Sequence, residues 1–261
     1  MNEPALRDSW RLAALAAVAT QAPDGGVIAE VVTPLAAGTD PVVALSYDRS
    51  DLAQALRHSG QALLVCWDSR MAESGWRPVA ATAVVEVIED RDGDWVASGL
   101  LQQELMAHPP SRALLDTPLL RRENWWYVPR WIVRATEIDR TWGLGRREGA
   151  DSGLLMWDDV DGLRADVVTV DDWDTEEVAV RSTVGTDLAH ALGPAALLAT
   201  DVRTPDLDHT AELRLRGQLR GSAVHVTDRE GAPVLGEPPG LWRRLQRVRR
   251  LERDCRRNMR T

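Results

Sequence analysis

The sequence has 261 residues, of which 44% are hydrophobic and 27% are charged, and its formal net charge is −9. This size and composition are typical of a globular protein with room for two domains. No apolar run approaches the roughly 18 residues that a membrane span needs, and Cys66 and Cys255 lie too far apart to form a metal or redox motif, so we expect a cytoplasmic protein with no membrane partner and no metal site.

The first half of the chain alternates strand patterns with helical ones. A helical pattern begins near Leu6 and passes into a strand, and Asp24-Gly25-Gly26 predicts a tight hairpin turn. The further elements predicted in this half are strands at 27–34, 41–47, 62–67 and 79–89, a short helix from Ser50 or Asp51, a helix over 95–116 broken at Pro109-Pro110, and an aromatic strand over 122–141.

The second half repeats motifs of the first in the same order. Val31-Val32-Thr33 returns as Val167-Val168-Thr169, an offset of 136 residues. The other matches are Val42–Ser46 with Val178–Ser182, Asp51–Leu56 with Asp187–Leu192, Ala62–Leu64 with Ala196–Leu198, and Asp90–Gly93 with Asp228–Gly231. A repeat of this period is the size of a domain, which indicates one small domain used twice. The second copy has no obvious counterpart of residues 95–141.

These patterns predict a mainly β fold with helices (α+β), because many short antiparallel strands around few helices are typical of small β-barrels. Residues 143–153 are rich in Gly and Arg and poor in apolar residues, as a linker is. We therefore predict a first domain over 1–145, a linker over 146–153, and a second, shorter domain over 154–261.

The chain ends in an Arg-rich segment that we predict to be an amphipathic helix. Residues 241–261 contain nine Arg against Glu252 and Asp254, a local charge of +7, which leaves −16 for residues 1–240. Apolar residues recur at helical spacing and form one stripe: Leu241, Leu245, Val248, Cys255 and Met259. Such a helix can bind nucleic acid or an anionic membrane, but the large opposite charge within the same chain favours docking on its own acidic body.

The sequence contains no lysine, so Arg supplies every basic side chain. A Schiff base with lysine is therefore excluded. Any bound anion must be held by Arg, by hydroxyl groups or by backbone N–H groups.

Several weak motifs occur together in an order that resembles a known superfamily. They are Val18-Ala19-Thr20 before the Asp24-Gly25-Gly26 turn, Ser46-Tyr47-Asp48-Arg49-Ser50 before Leu52–Leu56, Ala62–Val65, the strand that begins at Arg77-Pro78, and Glu123–Arg130. In this order they resemble the FMN-binding split barrels, which include pyridoxamine-phosphate oxidases, flavin reductases and deazaflavin (F420)-dependent reductases. The resemblance implies two tandem split barrels that form a pseudo-dimer within one chain.

The resemblance also implies a cofactor site. In the superfamily, the turn that enters the short helix holds the flavin phosphate, and Arg49 and Ser50 match that turn. The candidate cofactor-binding residues are Tyr47, Arg49, Ser50, Arg57, Trp67 and Arg77. A general acid or base is not required, because the cofactor performs the hydride transfer, and the catalytic residues stay unknown.

Each candidate has a plainer interpretation. Ser50 would also serve as a helix cap, Arg49 and Arg77 as solvated charges, and Trp67 as a core residue. The superfamily often places a lysine in this turn or helix, whereas Leu52 stands about there in this chain.

Three hypotheses follow. The first is an oxidoreductase that uses FMN or F420 on an unknown small-molecule substrate, and a homodimer is compatible with it. The second is a cofactor-free split barrel that acts by binding. The third is haem binding through one of the five histidines. Nucleic acid is not an expected partner in the first or the third.

Overall fold

The computed structural model describes residues 3–68, 75–147, 149–202, 210–236 and 241–260. The elements of the first half are α1 (Glu3–Leu12), β1 (Ala16–Gln21), β2 (Val27–Val32), β3 (Leu35–Ala37), β4 (Asp40–Leu45), a 3-10 helix (Tyr47–Arg49), α2 (Ser50–Ser59), β5 (Gln61–Cys66), β6 (Val79–Asp90), α3 (Asp94–Ala97), α4 (Leu100–Ala107), α5 (Pro109–Leu115), α6 (Pro118–Glu123), a second 3-10 helix (Trp125–Tyr127) and β7 (Arg130–Gly143). The second half contains β8 (Ser152–Asp159), β9 (Gly162–Val170), β10 (Glu177–Ser182), β11 (Leu192–Val202), β12 (Thr210–Arg220), β13 (Ala223–Gly231) and α7 (Leu241–Asn258).

The strands form two antiparallel sheets. The first has seven strands in the order β2-β1-β5-β6-β7-β4-β3, and the second is a closed six-stranded barrel in the order β10-β13-β12-β11-β8-β9. The β1–β2 hairpin turns where it was predicted, with Gly25 at φ +82° and the Gly26 N–H bonded to the Asp24 carboxylate at 3.0 Å. The predicted fold class, mainly β with helices in two barrel-like halves, is confirmed.

The two sheets share one strand order. If β1, β2, β4, β5, β6 and β7 are matched in chain order with β8 to β13, every neighbour in the first sheet has its counterpart in the second. The strand β3 is extra, and it lies at the open edge of the first sheet, whereas β9 and β10 pair and close the second. The strand β13 therefore takes the place of β7, a counterpart that the sequence did not reveal.

Apolar side chains form three buried layers. One lies inside the first sheet beneath its helices, one lies inside the closed barrel, and the third lies between the two sheets. The middle layer draws on β1, β2 and β5 from one side and on their counterparts β8, β9 and β11 from the other. Because equivalent strands meet, the interface has the isologous form of a homodimer within one chain.

Several details of the sequence-based prediction are wrong. By strand order β6 corresponds to β12, so the match of Asp90–Gly93 at the end of β6 with Asp228–Gly231 in β13 is wrong. Asp187–Leu192 does not form the helix that α2 forms in the first copy. Residues 122–129 are not a strand but the end of α6, a turn, the second 3-10 helix and a short connection, because Thr117 caps α6 at Leu120 N–H (3.2 Å) and Pro118 suits its first turn. Gly99, at φ +88°, divides the predicted helix over 95–116 before Pro109 does.

None of the helices in the described parts of the chain is both long and apolar enough to cross a membrane.

Candidate functional site

Five of the six candidate residues fall into three separate groups, and Arg77 joins none of them. The first surrounds the indole of Trp131 on β7. Tyr47 packs against this ring at 5.4 Å between centroids, and the guanidinium of Arg57 lies over it at 4.6 Å. The Ser50 hydroxyl donates to the Tyr47 carbonyl (2.7 Å) and accepts the Trp131 indole N–H (3.2 Å). Ser50 is only 4% exposed, so both of its hydrogen-bonding functions are used inside the protein.

The phenol of Tyr47 is also engaged internally. It donates to the Glu89 carboxylate at 2.8 Å. Burial, and then this hydrogen bond, raise the pKa of Tyr47, so the phenol stays protonated at neutral pH. Partial burial acts to raise the pKa of Glu89, but the hydrogen bonds from Tyr47 and Arg91 outweigh it and lower that pKa.

The second group contains Arg49 and joins the two barrels. We call it the ion cluster and define it by Glu30, Arg49, Glu212, Arg214 and Glu230. Glu30 on edge strand β2 lies 3.7 Å from the Arg49 guanidinium and is directly hydrogen-bonded to Arg214 of β12. Arg214 also pairs with Glu230 at 3.0 Å and with Glu212 at 3.6 Å. The Arg49 guanidinium additionally donates to the Val31 carbonyl at 2.6 Å.

The ion cluster carries three carboxylates against two guanidinium groups, which leaves one negative charge in excess. Burial raises the pKa of Glu212; Glu30 adds to this effect, and Arg49 and Arg214 oppose it. The Glu30 side chain is 10% exposed, and those of Arg214 and Arg49 are 25% and 31% exposed. The surroundings of Arg49 therefore disfavour a further anion such as a phosphate.

Helix α7 lies on the same turn. Asn258 donates to the Tyr47 carbonyl at 2.7 Å, and the Cys255 thiol lies 3.7 Å from the Asp48 carboxylate. Burial raises the pKa of Cys255 to about 12, so the thiol remains protonated. The expected docking of the Arg-rich helix on its own chain is confirmed for this part of α7.

The third group lies in the layer between the sheets. Trp67 is fully buried there, its indole N–H has no partner among the described residues, and the Arg147 guanidinium lies 5.5 Å from its ring. Arg147 is 3.7 Å from Asp68 and 3.0 Å from the Thr200 hydroxyl. Arg77 joins none of these groups; its side chain is exposed, and only its carbonyl has a described partner, the Ser9 hydroxyl at 3.0 Å.

The first domain holds a further buried polar group beneath α7. Ser111 donates to Glu104 at 2.5 Å and lies 3.1 Å from Nδ1 of His108, while Arg130, with no exposed surface, lies 3.4 Å from Glu104. The Arg130 guanidinium lies over the Tyr127 ring at 4.0 Å. Burial lowers the pKa of His108; Glu104 opposes this shift, and Arg49 and Arg130 add to it. Among the described histidines, this one is therefore neutral and committed to Ser111.

Glu30, and its pairing with Arg214, were missed in the sequence. A signal for Glu30 existed, because Ala29-Glu30-Val31-Val32-Thr33 and Ala165-Asp166-Val167-Val168-Thr169 place an acid at the same step of the repeat. Asp166 is 2% exposed, and its Oδ2 has no hydrogen-bond partner among the described residues. The repeat gives no such signal for Arg214, because its match by strand pairing is Ala80.

Comparison with known proteins gives matches to solved structures alone. No family model matches the sequence, and no curated protein matches it. A conserved hypothetical protein from Mycobacterium tuberculosis matches 55% of this chain over 84% of its own length, with 16% identity and a TM-score of 0.40. An F420 reductase matches 52% of this chain over 94% of its own, with 14% identity and a TM-score of 0.37. A haem-binding protein from Mycobacterium smegmatis matches the full length of both chains, with 15% identity and a TM-score of 0.36. With TM-scores below 0.5, these likenesses carry no argument about function.

Proposed function

We propose that this chain acts as a cofactor-free binding protein built on two split barrels, in which the place of the flavin phosphate is taken by ion pairs. One observation carries the proposal: the Glu30 carboxylate engages both Arg49 and Arg214, so the arginine expected to hold a phosphate already holds an acid. The barrels are thereby linked to each other at the position where the resemblance places a ligand.

The rest of the expected phosphate site supports the same conclusion. Ser50 has both of its hydrogen-bonding functions satisfied within the protein. Leu52, which stands about where the superfamily often has lysine, is 1% exposed and packs in the core of the first domain. A phosphate at this turn would have to displace Glu30 and would meet one excess negative charge, so the residues present do not fit FMN.

The proposal is tested by titrating the full chain with FMN and F420 separately while following absorbance and cofactor fluorescence. We expect no quenching of either cofactor at micromolar concentrations. Glu30→Gln is the matched variant, because it removes the competing charge and retains the side-chain shape. If that variant gains FMN affinity, the phosphate site is blocked rather than lost.

Quenching in the natural chain that disappears in Arg49→Ala and Ser50→Ala would overturn the proposal. It would establish flavin or deazaflavin binding, which the oxidoreductase hypothesis requires, with Tyr47, Arg57, Trp67 and Arg77 as the next residues to test. A Soret band after haem titration would instead establish haem binding. His108 is held by Ser111, and this contact does not favour haem ligation by that histidine.

A further inference from the structure

Helix α7 has two halves with different surroundings. In its C-terminal half, Leu251, Cys255 and Met259 pack against the core of the first domain. In its N-terminal half the apolar stripe continues without a cover: Trp242 is 77% exposed, Leu245 47% and Val248 38%. Every residue from Leu245 to Arg250 is exposed, so this half of the helix projects from the body of the protein.

Basic side chains flank the uncovered stripe. Arg247, Arg249 and Arg250 are exposed beside it. The acids within α7 lie in the docked half, where Glu252 pairs with Arg256 at 2.7 Å and Asp254 lies 3.5 Å from Arg257. Arg250 lies 3.9 Å from Asp254, one turn on, whereas Arg247 and Arg249 have no acidic partner among the described residues. The projecting half, residues 241–250, therefore presents an apolar stripe bordered by an excess of positive charge.

We propose that the projecting half of α7 binds an anionic phospholipid surface, with its apolar stripe in the interface and its arginines on the headgroups. A basic amphipathic helix binds such surfaces through the sum of buried apolar area and electrostatic attraction, and a tryptophan ring sits favourably at the boundary. This inference departs from the expectation of no membrane partner, which rested on the absence of a membrane-spanning segment.

The acidic body of the protein does not prevent this contact. Ten helical residues extend about 15 Å, whereas charges in physiological salt are screened over roughly 8 Å. Nucleic acid would use the arginines but would leave Trp242, Leu245 and Val248 without a role. Two copies of the projecting half would repel each other, because both are basic.

The inference goes beyond the proposed function, since lipid binding by α7 does not depend on whether the barrels hold a cofactor. The test is flotation of the full chain with vesicles of pure phosphatidylcholine and of phosphatidylcholine mixed with phosphatidylglycerol, at low and high salt. We expect binding to the mixed vesicles at low salt and little binding to the neutral ones.

Two variants separate the contributions of stripe and charge. Leu245→Glu should weaken binding about tenfold or more, because it removes a buried apolar group from the interface. Replacing Arg247, Arg249 and Arg250 together by Gln should weaken it about a hundredfold. Val160→Glu, at a position 97% exposed in the β8–β9 turn, is the control and should bind like the natural chain.

Three results would overturn the inference. The first is a natural chain that stays unbound to the anionic vesicles. The second is binding to duplex DNA that Leu245→Glu leaves unchanged while vesicles are ignored, which would assign the helix to nucleic acid. The third is self-association in sedimentation that Leu245→Glu abolishes without any lipid binding, which would assign the stripe to a second copy of this chain.

Discussion

Glu30 and Asp166 stand at the same step of the two halves of the molecule, yet their surroundings are opposite. Each follows an alanine and precedes Val-Val-Thr, on the matched strands β2 and β9. Glu30 lies on an open sheet edge and meets two arginines, one of them from the other barrel. Asp166 lies in a closed barrel, and one of its oxygens has no partner among the described residues.

This difference shows that a shared topology does not carry a shared site. Whether the edge strand is open decides whether a side chain of the partner barrel can reach the acid. Glu30, which is paired, links the barrels and occupies the expected phosphate position. Asp166, which is unpaired among the described residues, costs free energy of folding.

The largest effect should come from the apolar layer that both acids flank. Leu198 is 1% exposed between the sheets, and Leu198→Ala should destabilise the fold by about 2–5 kcal/mol through lost burial and a cavity. Urea unfolding measures the loss. Val160→Ala, in an exposed turn, is the control and should leave the transition unchanged; a Leu198 variant that matches it would mean that the layer does not hold the barrels together.

The next effect tests the paired acid. Glu30→Gln removes the charge that holds Arg49 and Arg214, and we expect a loss of about 1–3 kcal/mol. Glu86→Gln is the matched control, because its 2.8 Å pair with Arg134 is half exposed and should be worth about 0–1 kcal/mol. Equal losses in the two variants would show that the ion cluster is an ordinary surface feature.

The positions of most strands could be predicted from the sequence, but the alignment between the two repeats was wrong by one residue in one strand. Turn signals and alternation locate most strands, because these are local properties. The match of Leu63 with Leu197 is wrong in register: Leu63 lies between the barrels, whereas Leu197 lies inside the closed barrel. A strand has a period of two, so a one-residue error in alignment exchanges its faces.

The site was harder to predict for a related reason. The turn that holds Arg49 and Ser50 is local, and it forms where it was expected. The acid that pairs with Arg49 is Glu30, and Glu30 is held in turn by Arg214, 184 residues away in the chain. No local pattern encodes such a contact, and it became visible only when the two sheets were placed against each other.

Neutralising Asp166 should affect stability in the opposite sense to neutralising Glu30. Asp166→Asn keeps the shape of the side chain and removes a buried charge that has one unsatisfied oxygen. We expect a change within about 1 kcal/mol, neutral or stabilising. Urea unfolding of Asp166→Asn and Glu30→Gln under the same conditions measures both effects. A clear loss of unfolding free energy in Asp166→Asn would contradict the prediction and would mean that the Asp166 carboxylate has a stabilising partner.

The smallest expected effect is a pH dependence of stability that comes from His108 and has to be separated from the effects of the two acids. Burial and the nearby Arg49 and Arg130 lower the pKa of His108, so the unfolded chain binds its proton more readily than the folded one. This contribution to stability is complete above about pH 6.5, the usual pKa of histidine, and is lost as the pH falls below it. Unfolding of the natural chain at pH 7.5 and 5.5 should therefore show a drop that His108→Asn reduces; an unchanged drop would place the titrating group elsewhere.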